Sequence, residues 1–179
     1  MGTVFGGFRL YKPASDTVMD LPSAASTAIS VGDLLYWDTS AKVLKPFDQY
    51  PATGTVNTDQ AAIRGVFAGV ALQGKLAADP SAGYPAFNGE SITFAPDALY
   101  EATCAAATFE PGDLVAASVT AAAGAGNVAN QTLVKTTDAS EAIGYVVERY
   151  ASNTTSVRVR LVGRWSPYNY ADYNNTASA

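Results

Sequence analysis

The sequence predicts an all-β protein whose body is one strand unit used twice. Three observations carry this: a repeated phrase, a fixed order of strands after each copy, and a closing strand with strict alternation. The phrase Val31-Gly32-Asp33-Leu34-Leu35-Tyr36 returns as Pro111-Gly112-Asp113-Leu114-Val115-Ala116. Each copy is followed by an apolar-plus-lysine strand, Val43-Leu44-Lys45 and then Leu133-Val134-Lys135. A small-residue strand around a glycine comes next, Phe67-Ala68-Gly69-Val70-Ala71-Leu72 in the first half and Ala142-Ile143-Gly144-Tyr145-Val146-Val147 in the second. The spacing between copies drifts from 80 to 90 to 75 residues, so the halves share a strand order and differ in loop length.

Residues 1–30 read as an arm. Gly2, Gly6 and Gly7 interrupt its start, Phe8-Arg9-Leu10-Tyr11 can pair as a strand, and Pro13, Pro22 and a Ser/Ala/Thr run argue against any further regular element. Phe5, Phe8, Leu10 and Tyr11 are a large apolar load to leave in water, which favours docking of the arm over fraying. The body then opens with a strand-rich stretch from Ile29 to Trp37, turned by Asp38-Thr39-Ser40 into Val43-Leu44-Lys45-Pro46. Asp and Ser suit such a corner because their side chains bond the local backbone. Residues 48–60 read as a loop, 63–76 as a strand, 77–89 as a second loop and 90–94 as an alternating strand.

Residues 98–107 mix the alanines of a helix with the Thr and Tyr of a strand. Their position just ahead of the second Gly-Asp-Leu phrase favours a strand. The Ala/Gly-rich run 121–130 reads as a flexible excursion, standing where the first half has its Asp38 turn. In the closing strand Val157, Val159 and Leu161 alternate with Arg158 and Arg160. Burying each aliphatic contributes about 1.5–3 kcal/mol, which fixes the register. The expected division is an extended N-terminal arm 1–27, a body 28–163 with halves 28–95 and 98–163, and a Tyr/Asn-rich tail 164–179.

Composition narrows the chemistry. A chain of 179 residues can bury a core without staples. Its 48% apolar and 15% charged residues are those of an ordered protein, and a net charge of −5 with no Lys/Arg run argues against nucleic acid as a partner. No basic segment leads into an unbroken apolar run at the N-terminus, and no window of 18 apolar residues exists, so neither export by a leader nor a membrane span is expected. There is no histidine, which removes the Ser/His/Asp and Cys/His nucleophile systems and most zinc and iron sites. Cys104 stands alone among alanines and Thr103, with no base or cation to activate it, and reads as a small buried hydrophobe. Gly124-Ala125-Gly126 lacks the strand-turn-helix context of a dinucleotide site. No catalytic residue, metal site or cofactor is expected.

Asp38-Thr39-Ser40, after Leu34-Leu35-Tyr36-Trp37, resembles the catalytic loop of aspartic proteases, in which two aspartates share a proton. The second half offers Ala117-Ser118-Val119 at that place, so such a site would require a homodimer. A hairpin turn accounts for the same residues with nothing added. Arg158 and Arg160, with Arg149 and Arg164 nearby in sequence, form the one basic cluster of an acidic chain. They read as a solvated sheet face or as a contact with partner carboxylates.

Taken in order, the two Gly-Asp-Leu phrases, the Val-Leu-Lys-Pro strand, the two Gly-centred strands and Val157-Arg158-Val159-Arg160-Leu161 resemble the capsid decoration, or cement, proteins of tailed phages. The resemblance covers roughly residues 28–163. It implies a compact β-barrel or β-tulip body, usually a trimer, on the outside of an expanded head, bridging neighbouring major capsid proteins and stabilising the shell. The location it implies is the outer capsid surface of a virion made in the host cytoplasm. The loops at 48–60 and 77–89, the arm and the tail are additions to that pattern. An aromatic-rich chain without a catalytic constellation is built for contact. The contact candidates are Phe5, Phe8, Arg9, Leu10 and Tyr11 in the arm, Arg158 and Arg160 on the closing strand, and Tyr168, Tyr170 and Tyr173 in the tail. The alternatives are a head-fibre or host-surface-contacting virion protein and a dimeric aspartic protease using Asp38.

Overall fold

Among the described residues the body is built on a six-stranded sheet, five strands of which close on themselves, and a five-stranded sheet that follows the same strand order as those five. The computed structural model describes residues 9–13, 18–77 and 91–166. The strands are β1 (Arg9–Pro13), β2 (Met19–Pro22), β3 (Leu34–Asp38), β4 (Val43–Pro46), β5 (Ala52–Thr53), β6 (Phe67–Ala71), β7 (Ser91–Ala95), β8 (Asp97–Phe109), β9 (Leu114–Val119), β10 (Ala123–Gly124), β11 (Val128–Thr136), β12 (Gly144–Val146) and β13 (Tyr150–Val162). Among the described residues one α-helix, α1 (Val56–Val66), precedes β6.

In the second half β8, β11, β9, β12 and β13 form a closed barrel, because β13 returns to pair with β8. In the first half the order is β2-β7-β6-β3-β4. Read from β8 the other way round, the barrel runs β8-β13-β12-β9-β11, the same route strand for strand. The halves differ at the last step. β11 closes on β8 in parallel through Thr132↔Thr103 and Leu133↔Cys104. β4 meets the end of β2 only through the parallel bridge Ser23↔Leu44, with Ala24 N–H donating to the Leu44 carbonyl at 3.1 Å.

The register repeats as well as the order. Leu35 faces Gly69 as Val115 faces Gly144, and Ala71 faces Phe94 as Val146 faces Val159. Ile29 bridges Lys75 as Phe109 faces Tyr150. The Gly-Asp turns are built alike. Gly32 N–H donates to the Ala71 carbonyl and Gly112 N–H to that of Val146, both at 2.8 Å, with φ +89° and +93° at the two glycines. The side chains of Asp33 and Asp113 each accept the N–H three residues upstream, from Ser30 and Glu110, both at 2.7 Å. By these pairings Leu44 corresponds to Leu133, and both are fully buried. This shifts the sequence alignment of the lysine strands by one residue, a step that side-chain alternation would otherwise turn inside out.

Gly69 and Gly144 explain why the small-residue strand recurs. A Cβ on Gly69 would lie 2.3 Å from the Ala95 carbonyl oxygen, and one on Gly144 would lie 2.3 Å from that of Arg160. Both strands approach the next strand too closely for a side chain.

The barrel is filled from β13 and β8. Val157, Val159 and Leu161 face Ala102, Tyr100 and Ala98, all six buried. The expectation of a strand at 98–107 is met within β8, and the closing alternation is met within β13. A second cluster in the first half joins Ile29, Leu35, Leu44, Ala68, Ala71, Ile92 and Phe94.

Four expectations are corrected. The stretch read as loop and then strand contains α1. Its buried face is Asp59, Gln60 and Ile63, so polar residues at core positions hid the helical period. Asp59 accepts the Thr53 and Gly54 N–H groups at 2.8 and 3.1 Å, and Gln60 Nε2 donates to the Ala117 carbonyl of β9 at 2.7 Å. Residues 19–22 of the supposed arm form β2 despite Pro22, which ends the strand, where a missing N–H is tolerated. The run 121–130 is an ordered latch between the halves. β10 pairs with β5, Gly126 N–H donates to the Asp48 carbonyl, and Asn130 Oδ1 accepts the Asp48 N–H. The supposed tail begins inside the body, since Trp165 packs edge-on to Trp37 at 5.4 Å and to Phe94 at 5.9 Å.

Candidate contact surface and the fate of the predicted site residues

The arm segment Arg9–Pro13 forms β1, antiparallel on β8. Arg9 stands opposite Glu101, Leu10 opposite Tyr100, Lys12 opposite Leu99 and Pro13 opposite Ala98, with an irregularity between Leu10 and Lys12 where Tyr11 lies. β8 therefore carries β13 on one edge and, on the other, β1 near its start and β11 farther along. The arm was thus legible as a strand at Arg9-Leu10-Tyr11, and the proline that closes it sits at the strand end. Phe5, Phe8, Tyr168, Tyr170 and Tyr173 lie outside the described residues.

The basic cluster is engaged within the chain. Arg160 meets Asp97 in a two-point pair, Nε to Oδ1 at 2.9 Å and Nη2 to Oδ2 at 3.0 Å. Asp97 is fully buried, and its Oδ2 also accepts the Ser166 hydroxyl at 2.8 Å. The hydrogen bonds to Asp97 raise the guanidinium's affinity for its proton still further. Arg160 is therefore a clasp joining β13, the start of β8 and the segment after β13. Arg158 Nη1 pairs with Glu148 Oε2 at 3.0 Å and keeps a substantial exposed surface. Arg149 pairs with Glu110, and Arg164 lies over the Trp165 ring. The structure does not gather the four arginines into one free patch; each meets a partner in its own chain. No pattern in the sequence pairs Arg160 with Asp97, because the contact spans two strands far apart in the chain.

Asp38 has the geometry of a turn. One carboxylate oxygen accepts the Ser40 N–H, the Ser40 hydroxyl and the Ala41 N–H at 2.9, 2.7 and 3.0 Å, and the other takes Lys45 Nζ at 2.7 Å. The Lys45 hydrogen bond, followed by that from Ser40, holds the carboxyl well below the usual carboxylate range. A proton-sharing aspartate needs the opposite environment, a like charge that raises one of the two carboxyls. Cys104 is buried, which pushes its thiol up, and Sγ faces the Thr154 carbonyl at 3.6 Å. Among the described residues no cluster of His, Cys, Asp and Glu is arranged to hold a metal, and no helix is long and apolar enough to cross a membrane.

The two aspartates of the repeated phrase differ in setting. Asp33 is buried, and desolvation raises its pKa despite the bonds from Ser30 N–H and Gln131 Nε2; Asp48 adds to the rise. At Asp113 desolvation acts in the same direction but is outweighed by Lys135 and the Glu110 N–H, and the net shift is downward. Sequence reasoning missed Asp33 as a buried junction residue. Its partner Gln131 lies in the other half, where no local pattern could point to it.

No curated protein matches the chain. The comparison with protein families gives a structural, capsid-binding class of role, one consistent with a non-enzymatic chain. Residues 14–82, a span that takes in β2, β3, β4, α1 and β6, match the family model of the phage cement protein.

Proposed function

We propose that this protein binds the outer surface of an expanded phage capsid, bridges neighbouring major capsid proteins and so stabilises the head. The observation that carries the reading is the cement-protein match over residues 14–82, falling on a first half whose strand order the second half repeats. A chain made of one closed barrel and one sheet of the same strand order, braced by α1, the β5–β10 pairing and Trp165, is a stiff spacer, which suits a protein that resists separation of the subunits beneath it. Such a protein stabilises only the state it binds, here the expanded shell. The body is read as 28–163, with β2 of the arm and Trp165 of the tail docked onto it. The contact set is Phe5, Phe8, Arg9, Leu10 and Tyr11 with Arg158, Tyr168, Tyr170 and Tyr173. Arg160 joins that set through whatever surface its Asp97 pair leaves open.

A homotrimer of β-tulip-like bodies is part of the same reading, because three equivalent footprints on a three-fold site multiply modest contacts into firm attachment. The experiment is light scattering of the purified chain followed by co-sedimentation with empty expanded capsids. A trimer, or a monomer that pellets at three-fold-compatible stoichiometry, is expected. A stable dimer that leaves capsids untouched overturns the reading. Removing residues 1–12 deletes most of β1 and is expected to weaken pelleting while the barrel still folds; full occupancy would overturn the role of the arm.

A further inference from the structure

The repeated Gly-Asp turn carries the same aspartate in two different settings. In the second half Asp113 meets Lys135 Nζ at 2.5 Å, and Lys135 stands opposite Val115 on β9. In the first half the residue opposite Leu35, the counterpart of Val115, is Pro46, so Asp33 has no cation where its copy has one. Asp33 is also only 4% exposed, because it lies on the seam between the halves. β11 loses register with β9 between Val128 and Leu133, and residues of this bulge turn toward the first half. Gln131 Nε2 donates to Asp33 Oδ1 at 2.8 Å and lies 3.5 Å from the Val31 carbonyl, while Asn130 Oδ1 accepts the Asp48 N–H at 2.6 Å. Asp33 Oδ2 accepts the Ser30 N–H at 2.7 Å. The charged neighbour is Asp48, of the turn at residues 47–49, a like charge whose own Oδ1 is buried with no hydrogen-bond donor among the described residues. β6, bonded alongside through Ala71, is Phe-Ala-Gly-Val-Ala and brings nothing that titrates. On β4, Lys45 is engaged by Asp38, and Lys75, after β6, reaches the Ala25 carbonyl. Among the described residues, two carboxylates and no cation meet at Asp33.

We propose that Asp33 is a proton-operated bolt between the halves: holding a proton, it keeps the bulge of β11 seated on the first half, and once ionised it lets that seat loosen. A buried carboxylate without a cation carries a desolvation cost that its neutral form does not. Opening the seam lets water relieve that cost, so ionisation favours opening and proton uptake favours closure. Gln131 suits both states. Its carboxamide donates through nitrogen to an ionised carboxylate and, turned over, accepts through oxygen from a protonated one. Burial, with the charge of Asp48 adding, moves the Asp33 carboxyl above its ordinary range, so the bolt engages as pH falls toward the usual carboxylate value. The copy at Asp113 lacks this response, because Lys135 favours its charged form. The rigidity that links the halves is then set by pH, whatever partner the chain binds.

The test is amide hydrogen exchange of the full chain at about pH 4.5 and about pH 7, corrected for the intrinsic exchange rate. It is read at Asp48 and Gly126, whose N–H groups bond across the seam, with Gly112 as the amide of a turn inside one half. Seam protection is expected to be about threefold or more greater at the lower pH, with no such change at Gly112. Asp33→Asn keeps the shape of the side chain and cannot ionise, and is expected to remove the pH dependence; Asp113→Asn is expected to leave it. Equal seam protection at the two pH values in the wild-type chain overturns the bolt. A pH dependence that survives in Asp33→Asn overturns it too, and its loss in Asp48→Asn would then give the proton to Asp48. Carbon-13 titration of the wild-type carboxyls needs no variant: Asp33 is expected to take up its proton at a higher pH than Asp113, and the reverse order overturns the proposal.

Discussion

The first and second halves use the same five-strand route, yet only the second closes fully. The second half closes because β8 is long enough to pair with β13 along its length and still reach β11. β2 has four residues, and its counterpart closure shrinks to the single bridge at Ser23. The first half makes up the deficit from outside its own strands: Trp165, supplied after β13, packs against Trp37 and Phe94. The comparison teaches that one topology can be held either by its own ladder or by borrowed packing. The half that borrows has, among the described residues, no second strand along β2.

The largest expected effect tests whether the halves are equally strict. Gly144→Val and Gly69→Val each drive a side chain into a neighbouring carbonyl, and both are expected to cost about 3 kcal/mol or more in chemical denaturation. At position 69 the valine would carry the added strain of φ +153°. If Gly69→Val is mild while Gly144→Val unfolds the chain, the first half is the looser copy.

Next is the Asp97–Arg160 clasp, which has no counterpart at Ala95, the first-half residue aligned with Arg160. Arg160→Met removes the guanidinium partner of the buried Asp97 carboxylate and is expected to cost about 3 kcal/mol, the low end for such a pair because Arg160 itself is partly exposed. A thermal or denaturant shift under about 0.5 kcal/mol would show that Ser166 and solvent suffice to hold Asp97.

The paired aspartates predict a pH signature of opposite sign. Asp113 has its pKa lowered on folding, so the stability it contributes is present above the unfolded value of about 3.9 and is lost as pH falls through the folded value. Asp33 has its pKa raised, so its ionisation weakens the fold once pH rises past both values. That penalty disappears as pH falls from the raised folded value toward about 3.9. Asp113→Asn is expected to cost about 1 kcal/mol or less at pH 7 and to flatten the acid limb. Asp33→Asn is expected to be close to neutral at pH 7, since its carboxamide oxygen can still accept the Ser30 N–H, and to steepen the acid limb. Denaturation midpoints between pH 3 and 7 decide; the same sign for both variants would break the comparison.

The smallest effect is at Arg158. Its exposed pair with Glu148 is worth a few tenths of a kcal/mol, so Arg158→Ala should leave the melting temperature nearly unchanged. Lower capsid occupancy in that variant would keep Arg158 in the contact set, and unchanged occupancy would remove it.

Local regularity determined much of this protein in advance. Gly-Asp-Leu recurs because its turn needs positive φ at glycine and an aspartate that reaches back three residues. Val157, Val159 and Leu161 alternate because one face of β13 is core. These features are written within a few residues, and so is the duplication they mark. The sequence by itself also predicted that the arm would pair at Arg9-Leu10-Tyr11 and that Asp38 would form a turn. What only the tertiary structure decided depends on partners distant in the chain. α1 buries Asp59 and Gln60 because acceptors and donors from β5 and β9 satisfy them, so its core face does not look apolar in sequence. Arg160 reads as a surface cation until Asp97 is brought beside it. Barrel closure and the latch at residues 121–130 follow from strand lengths and pairings compared across the whole fold, a quantity that no local pattern of hydrophobic and polar residues encodes.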